Sequence, residues 1–134
     1  MSVPSMDAWL REAKAHPSAP KIGMYLVHNG TVRRSAKISV RQGREAPEVV
    51  GMVFSYDSAQ VDRVVADAYA LKGIHYIRVW LNQGQLQVGD DLMYVLIGGD
   101  IRPRVTAALD YLVGRLKNEC VTEEELYAPS PAVP

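Results

Sequence analysis

The spacing of apolar residues along the chain predicts three helices separated by extended segments. The first covers "MDAWLREAKA", with Ser5 as its cap and two prolines beyond its end. The second begins after Asp57, with Gln60 three residues on as in a capping box, and Gly73 ends it. The third has five apolar residues on one stripe. They are Val105, Leu109, Leu112, Val113 and Leu116.

Four segments rich in β-branched and aromatic residues are predicted as strands: "KIGMYLVHNG", "EVVGMVFSY", "IHYIRVWL" and "LMYVLIG". The turn-rich stretch "NQGQLQVGDD" separates the last two. The order α-β-loop-β-α-β-β-α favours a two-layer α+β domain, a mostly antiparallel sheet packed with about three helices. It argues against a doubly wound nucleotide fold, and no dinucleotide fingerprint or P-loop sequence is present.

Three charged or terminal segments stand apart from these elements. Residues 31–47 carry five basic residues among scattered apolar ones, which predicts a basic loop, either mobile or forming an irregular hairpin. The acidic run "TEEELY" is typical of a solvated face. We therefore expect a single domain over residues 1–127 and a loose C-terminal tail over 128–134.

Composition narrows the class of protein. The chain has 134 residues, with 15 Lys and Arg against 15 Asp and Glu, so overall charge gives no argument for nucleic acid or an anionic membrane. Cys120 is the sole cysteine, which excludes an intrachain disulfide and favours a cytosolic setting. The N-terminus lacks the layout of a signal peptide, and no apolar run approaches a membrane span of roughly 18 residues. We expect a cytoplasmic protein that binds neither nucleic acid nor membrane.

The stretch "VLIGGDIRPR" carries the first candidate chemistry. Gly98 and Gly99 would let the backbone turn sharply and approach a ligand, and Asp100 could cap the next helix. The free amides of that helix, with Arg102 and Arg104, would form an anion site. The alternative is a plain strand-to-helix junction with solvated arginines, since Asp100 would itself partly occupy the positive helix end.

Other basic residues supply further candidates. "NGTVRR" ends the first strand with Arg33 and Arg34, which either join an anion site or belong to a solvated loop. Lys117, near the end of the last helix, is either a partly desolvated acid, base or nucleophile, or a complement to the helix C-terminus. The three histidines lack metal-ligand spacing, so we expect no metal site.

Taken in order, these segments resemble the large, catalytic subunit of molybdopterin synthase, the MoaE family, over about residues 6 to 124. "GTVR" is similar to the family's G-x-V-R, "GMVFSYD" to its strand ending in a tyrosine, and "GQLQVGDD" to its G-x-L-x-x-G-(D/E) turn. "DIR" stands where the family has a histidine–arginine pair at the start of its last helix. The resemblance implies an α/β-hammerhead-like arrangement of the two layers.

This resemblance implies sulfur transfer in molybdenum cofactor biosynthesis. A small ubiquitin-like subunit ending in Gly-Gly would bring a C-terminal thiocarboxylate, whose sulfur passes to cyclic pyranopterin monophosphate, with no cofactor bound permanently. A homodimeric large subunit is also implied. By position, Arg33 and Arg102 would bind the substrate phosphate, and Lys117 would be catalytic. Secondary candidates are the basic residues Arg34, Arg44 and Arg104.

The chain departs from the family pattern at three places. Ile101 replaces the histidine before Arg102, and an earlier histidine–arginine motif is leucine–asparagine here. Glu124 falls where the family has its second lysine. This exchange reverses the local charge, and two unit charges about 4 Å apart interact by roughly 4 kcal/mol at an effective dielectric near 20.

These departures leave three hypotheses. The first is a divergent molybdopterin synthase catalytic subunit, in which Arg44 or another basic residue of the 31–47 loop replaces the missing lysine. The second is a non-catalytic member of the fold that binds a ubiquitin-like partner or pterin without turnover. The third is a binder of a small phosphate ligand with unrelated chemistry.

Overall fold

The computed structural model describes residues 3–129. Its four α-helices are α1 (Met6–Lys14), α2 (Lys37–Gln42), α3 (Ser58–Tyr69) and α4 (Arg102–Arg115). Its six strands are β1 (Met24–Thr31), β2 (Val49–Tyr56), β3 (Ile74–Leu81), β4 (Gly84–Gln87), β5 (Asp91–Gly99) and β6 (Val121–Tyr127). A 3₁₀ turn covers Ala19–Lys21, and a π turn, Leu116–Cys120, continues α4.

The strands form two three-stranded antiparallel sheets, ordered β1-β5-β3 and β4-β2-β6. The predicted α+β class with antiparallel pairing is confirmed. Residues 3–129 form two sheets and four α-helices, whereas the sequence predicts one sheet and about three helices. Side chains of both sheets and of α3 and α4 meet in one core. Its fully buried members include Phe54, Val64, Val95, Ile97 and Leu112.

Helix α1 covers the opposite face of the first sheet. Its Trp9 and Ala13 pack on Leu96 of β5, apart from the main core. The guanidinium of Arg78 lies 4.6 Å from the centre of the Trp9 ring, a cation–π contact that joins α1 to β3. This helix therefore closes the outer layer of the fold.

The predicted helix starts are confirmed for α1 and α3. The Ser5 hydroxyl accepts a hydrogen bond from the Ala8 amide at 3.2 Å. The Asp57 carboxylate accepts from the Ala59 and Gln60 amides in the first turn of α3, at 3.0 and 3.2 Å. Both helices thus satisfy amides that lack an intrahelical partner. The prediction that Asp100 caps α4 is wrong, because its N-cap is Ile101 and no side chain within residues 3–129 caps it.

Three segments are more ordered than the sequence predicts. The 31–47 stretch contains α2, and the turn-rich stretch before β5 contains β4. The acidic run is a paired strand, β6, whose alternate residues face the protein interior and solvent. Backbone hydrogen bonds tie the 31–47 stretch and the end of β6 to the start of β2: the Val49 amide donates to the Arg34 carbonyl, and the Ala128 amide donates to the Glu48 carbonyl. Ala128, which forms the second of these bonds, is the first residue of the predicted tail. Residues 130–134 of that tail lie outside the described part.

Candidate functional site

A charged cavity of about 70 Å³ lies where β1 ends, against α2, the π turn after α4 and β6. Four cationic side chains and two carboxylates line it, together with Thr31, Met52 and Leu92. The cations are Arg33, Lys37, Arg41 and Lys117, and the carboxylates are Glu123 and Glu125. The formal charge of the lining is thus positive, which suits a small anionic group.

The backbone around Arg33 is fixed by its neighbour. Val32 is buried, and its amide donates to the Asp90 carbonyl at 3.0 Å. Arg33 is therefore held just outside the end of β1, and its Nε donates to the Ser35 carbonyl at 3.1 Å. The terminal guanidinium nitrogens form no hydrogen bond to the described residues, so they are available to an anion in the cavity.

Lys117 reaches the same cavity from the π turn. Leu116 and Cys120, on either side of it, are buried in the core, and these two anchors bring the half-exposed Lys117 side chain to the cavity wall. Functional sites often contain such single π turns. Arg33 and Lys117, which the family resemblance assigns to one site, both line this cavity.

A carboxylate lies between two lysines in this cavity. Glu123 Oε1 is 3.6 Å from Lys117 Nζ, and Glu123 Oε2 is 3.7 Å from Lys37 Nζ. The Glu123 side chain is only 14 % exposed, and its Oε1 accepts no hydrogen bond from the described residues. Because partial burial lowers the effective dielectric, this carboxylate neutralises both ammonium groups more strongly than a solvated one would.

Strand register explains which glutamate faces the cavity. Glu123 pairs with Phe54, which is fully buried, whereas Glu124 pairs with Val53, which is exposed. Directly opposed residues share one face of a sheet, so Glu123 points inward and Glu124 outward. The family resemblance places the charge reversal at Glu124, whereas the carboxylate that contacts Lys117 is Glu123.

Helix α2 supplies cations that the sequence analysis did not single out. The Lys37 amide donates to Glu125 Oε2 at 3.0 Å, and the Tyr127 hydroxyl donates to Glu125 Oε1 at 2.9 Å. This contact holds the start of α2 on β6. Lys37 and Arg41 are four residues apart and so lie on the same side of the helix, toward the cavity. That spacing was the sequence signal for them.

His28 of β1 also belongs to this region. Burial is the larger cause that lowers the pKa of His28 below its ordinary value, and the positive charge of Lys117 lowers the pKa further. The imidazole is therefore neutral near pH 7. The sequence indicates no role for His28, since the histidines lack metal-ligand spacing. Residues 3–129 contain no cluster of His, Cys, Asp or Glu suited to a metal.

Arg102 does not join the cavity within one chain. Met24, at the start of β1, pairs with Gly99, just before Arg102, while Thr31, at the other end, pairs with Asp91. Arg33 follows Thr31, and β1 spans eight residues, about 24 Å at an antiparallel rise near 3.4 Å per residue. Arg102 is exposed at the far end of the first sheet.

The remaining basic candidates also lie away from the cavity. Arg104 pairs with Asp100 at 2.5 Å, and Arg34 lines a separate groove beside Glu48. Arg44 is exposed and is not part of the cavity lining. Of the basic residues in the 31–47 segment, therefore, the cavity takes Arg33, Lys37 and Arg41.

The glycine pair before α4 serves packing. Gly98 and Gly99 have no positive φ, and a Cβ on Gly99 would lie 2.6 Å from Val105 Cγ2. Asp100 accepts from the Ile101 amide at 2.7 Å. Desolvation opposes ionisation of Asp100, yet the Ile101 amide and Arg104 together lower its pKa. Asp100 is thus an ionised partner of Arg104, and this junction matches the plain strand-to-helix alternative within one chain.

No helix within residues 3–129 is long and apolar enough to cross a bilayer. A comparison with curated proteins found no match. The fold resembles molybdopterin synthase from Staphylococcus aureus, with a TM-score of 0.71 and 14% identity, over 93% of this chain and 87% of that one. It also resembles the molybdopterin biosynthesis MoaE protein from Burkholderia ambifaria, with a TM-score of 0.70 and 19% identity, over 98% and 88% of the chains.

A third similar structure is a protein–protein complex of subunits 1 and 2 of molybdopterin-converting factor from Helicobacter pylori. It matches with a TM-score of 0.63 and 17% identity, over 96% of this chain and 84% of that one. These likenesses show the shared fold. Residues 4–119 match the family described as MoaE protein. Because this match covers most of the chain, the protein belongs to the MoaE family.

Proposed function

We propose that this protein is a catalytic subunit of a molybdopterin synthase, acting in molybdenum cofactor biosynthesis. Its substrate would be cyclic pyranopterin monophosphate, and its sulfur donor the C-terminal thiocarboxylate of a small ubiquitin-like subunit ending in Gly-Gly. The observation that carries the proposal is that Arg33 and Lys117, far apart in sequence, line one cavity. MoaE-family membership supports the biosynthetic role.

The cavity groups suit this chemistry. Arg33 would bind the phosphate through its two terminal nitrogens, because the planar guanidinium group can donate two parallel hydrogen bonds to a phosphate. Sulfur transfer would form a carbon–sulfur bond on the pterin, from which the replaced oxygen leaves as water. The acyl carbon–sulfur bond of the small subunit would break, and a water molecule would supply the oxygen that completes its carboxylate. Lys117 would stabilise the negative charge that develops on the acyl oxygen, or exchange a proton with the departing groups.

Arg102 would enter the site from a second copy of the chain. Its position at the far end of the first sheet excludes a shared contact with Arg33 in one chain, while a twofold homodimer can bring opposite ends of two copies together. Complementation tests this arrangement. Coexpressed Arg102→Ala and Lys117→Ala chains, each inactive alone, should regain about a quarter of wild-type activity, because half of the dimers carry one intact site.

Absence of regained activity, with mixed dimers demonstrated by differential tags, would contradict the shared site. A matched control mixes Lys117→Ala chains with chains carrying both substitutions. That mixture should stay inactive, since no arrangement of its subunits leaves both groups intact at one site.

A second candidate function is a non-catalytic member of the family that binds a partner or pterin. The contact between Glu123 and Lys117 favours it, because an internal carboxylate competes with an anionic substrate for the lysine. Ile101, exposed at the start of α4 where the family has a histidine, points the same way.

A single-turnover assay distinguishes these functions. Purified protein is mixed with thiocarboxylated small subunit and the cyclic pterin monophosphate, and dithiolene formation is followed. We expect product with the wild type and a loss of about a hundredfold or more with Lys117→Ala. Lys21→Ala, at an exposed lysine outside the cavity, is the control and should match the wild type. Absence of product while the small subunit still binds would reject the synthase and support the non-catalytic function.

A further inference from the structure

Helix α2 carries a counterpart to the lysine that β6 lacks. We propose that Lys37 is the second lysine of the site, and that Glu123 occupies the place of the incoming anion between Lys37 and Lys117. This inference rests on the proposed function, since it adds two groups to the same cavity. Lys37 thus gives an active role to the 31–47 segment, which the sequence predicts as a basic loop, either mobile or forming an irregular hairpin.

The geometry around Glu123 supports this assignment. Its two carboxylate oxygens face different ammonium groups, at 3.6 Å from Lys117 and 3.7 Å from Lys37. Both distances exceed the 2.7–2.9 Å typical of charge-assisted hydrogen bonds. The two lysines therefore converge on one point, while the anion between them is held by charge without close hydrogen bonds. A ligand oxygen that approaches the two ammonium groups more closely would accept the short hydrogen bonds that Glu123 does not form.

The surroundings of Lys37 hold it at this point. Its amide is bound to Glu125 on β6, and the preceding Ala36 is buried at 1 % exposure. The Lys37 side chain is 42 % exposed, so it combines a fixed backbone with access to solvent. Arg41, on the same side of α2, extends the positive wall. These contacts separate Lys37 from an ordinary surface lysine.

Removal of the Glu123 charge should expose the lysine pair to external anions. Two ammonium groups without their counter-ion repel each other, and a bound anion relieves that repulsion. Glu123→Gln keeps the size of the side chain and removes only the charge. Glu124→Gln is a matched control on the neighbouring residue, because that carboxylate faces the opposite side of β6.

Inorganic phosphate is the probe, titrated by calorimetry at constant ionic strength. We expect Glu123→Gln to bind phosphate about tenfold more tightly than the wild type, and Glu124→Gln to bind as the wild type does. In the Glu123→Gln background, Lys37→Gln and Lys117→Gln should each weaken binding by about tenfold. Lys21→Gln in that background should leave it unchanged.

Two results would overturn the proposal: unchanged phosphate affinity in Glu123→Gln, or a phosphate affinity that depends on Lys117 but not on Lys37. Circular dichroism shows whether Glu123→Gln folds. If it does not fold, Glu123→Asp replaces it as the test variant. The shorter Asp carboxylate should withdraw from one lysine, so Glu123→Asp should bind phosphate more tightly than the wild type. The titration needs no small subunit or pterin. Failure of sulfur transfer with an intact Glu123 effect would reject the proposed function alone.

Discussion

Replacement of Gly99 by alanine tests why two glycines precede α4. Gly99 is buried at the end of β5, which lies between β1 and β3. An added Cβ would lie 2.6 Å from Val105 Cγ2 and 2.7 Å from the Gly73 carbonyl oxygen. The Gly73 oxygen also accepts the Asp100 amide hydrogen at 2.9 Å. The new methyl group must therefore displace backbone as well as a side chain, and the backbone it displaces is hydrogen-bonded.

The expected cost follows from these contacts. Overpacking of a dense core costs typically 1–3 kcal/mol, and weakening of the Gly73–Asp100 hydrogen bond adds about 1 kcal/mol. We therefore expect Gly99→Ala to reduce the free energy of unfolding by about 3 kcal/mol. For a chain of this length, a shift of roughly 4 °C per kcal/mol predicts a Tm about 12 °C lower.

Gly114 is the matched control in the same assay. It lies inside α4, and an added Cβ there would meet no atom of the part of the chain that the structure describes within 4 Å. Alanine favours a helix interior over glycine by about 0.5–1 kcal/mol, so Gly114→Ala should raise the Tm by roughly 3 °C. Urea unfolding of both variants by circular dichroism gives the two free energies directly. Opposite signs for one substitution type would establish that the local contacts decide the effect.

A Tm for Gly99→Ala within 2 °C or so of the wild type would refute this reasoning. It would mean that the junction can open without cost. The glycines would then have to be explained by approach of a ligand to the backbone, as the sequence analysis first suggested. A fall in Tm with unchanged phosphate binding would instead support the packing role alone.

Three further predictions concern stability and reactivity. The folded-state pKa of His28 lies below the ordinary 6.5, so the unfolded chain binds more protons, and the free energy of unfolding should fall as the pH drops below about 6.5. Urea titrations from about pH 7.5 to 5 measure this fall. His28→Gln should remove the His28 contribution to it, and Lys117→Ala should remove part of that contribution. Asp57→Ala removes the acceptor for two amides of α3 and should cost about 1 kcal/mol, measured by the same unfolding; Asp62→Ala, exposed within α3, should cost much less. Burial, and to a smaller extent the negative charge of Glu119, raises the pKa of the Cys120 thiol. A thiol reagent should therefore react with Cys120 only as fast as the protein unfolds. A reaction rate that does not depend on the urea concentration would contradict this.

The candidate site was only partly readable from the sequence. Motif positions pointed to Arg33 and Lys117, and both line the cavity. The four-residue spacing of Lys37 and Arg41 is a weak signal, because α2 has six residues and, among the described residues, no side-chain cap. Neither apolar periodicity nor capping therefore marks the helix that gives this spacing its meaning. Tertiary contacts hold this helix in place, through Glu125 and buried Ala36.

The sequence by itself determined the long elements. An amphipathic stripe or a β-branched run buries enough apolar surface to select its own conformation, as in α3, α4 and β3. Short or charged segments carry no such signal. Strand β4 has four residues, and β6 contains three consecutive glutamates, so both depend on pairing with β2 for their backbone hydrogen bonds.

Only the tertiary structure decided which glutamate meets the lysines. Alternation along a strand fixes that Glu123 and Glu124 face opposite sides, but it leaves the choice of side open. Pairing with β2 makes that choice, since Glu123 opposes buried Phe54 and Glu124 opposes exposed Val53. A shift of one residue in this register would exchange the two carboxylates, and with them the charge that faces Lys117.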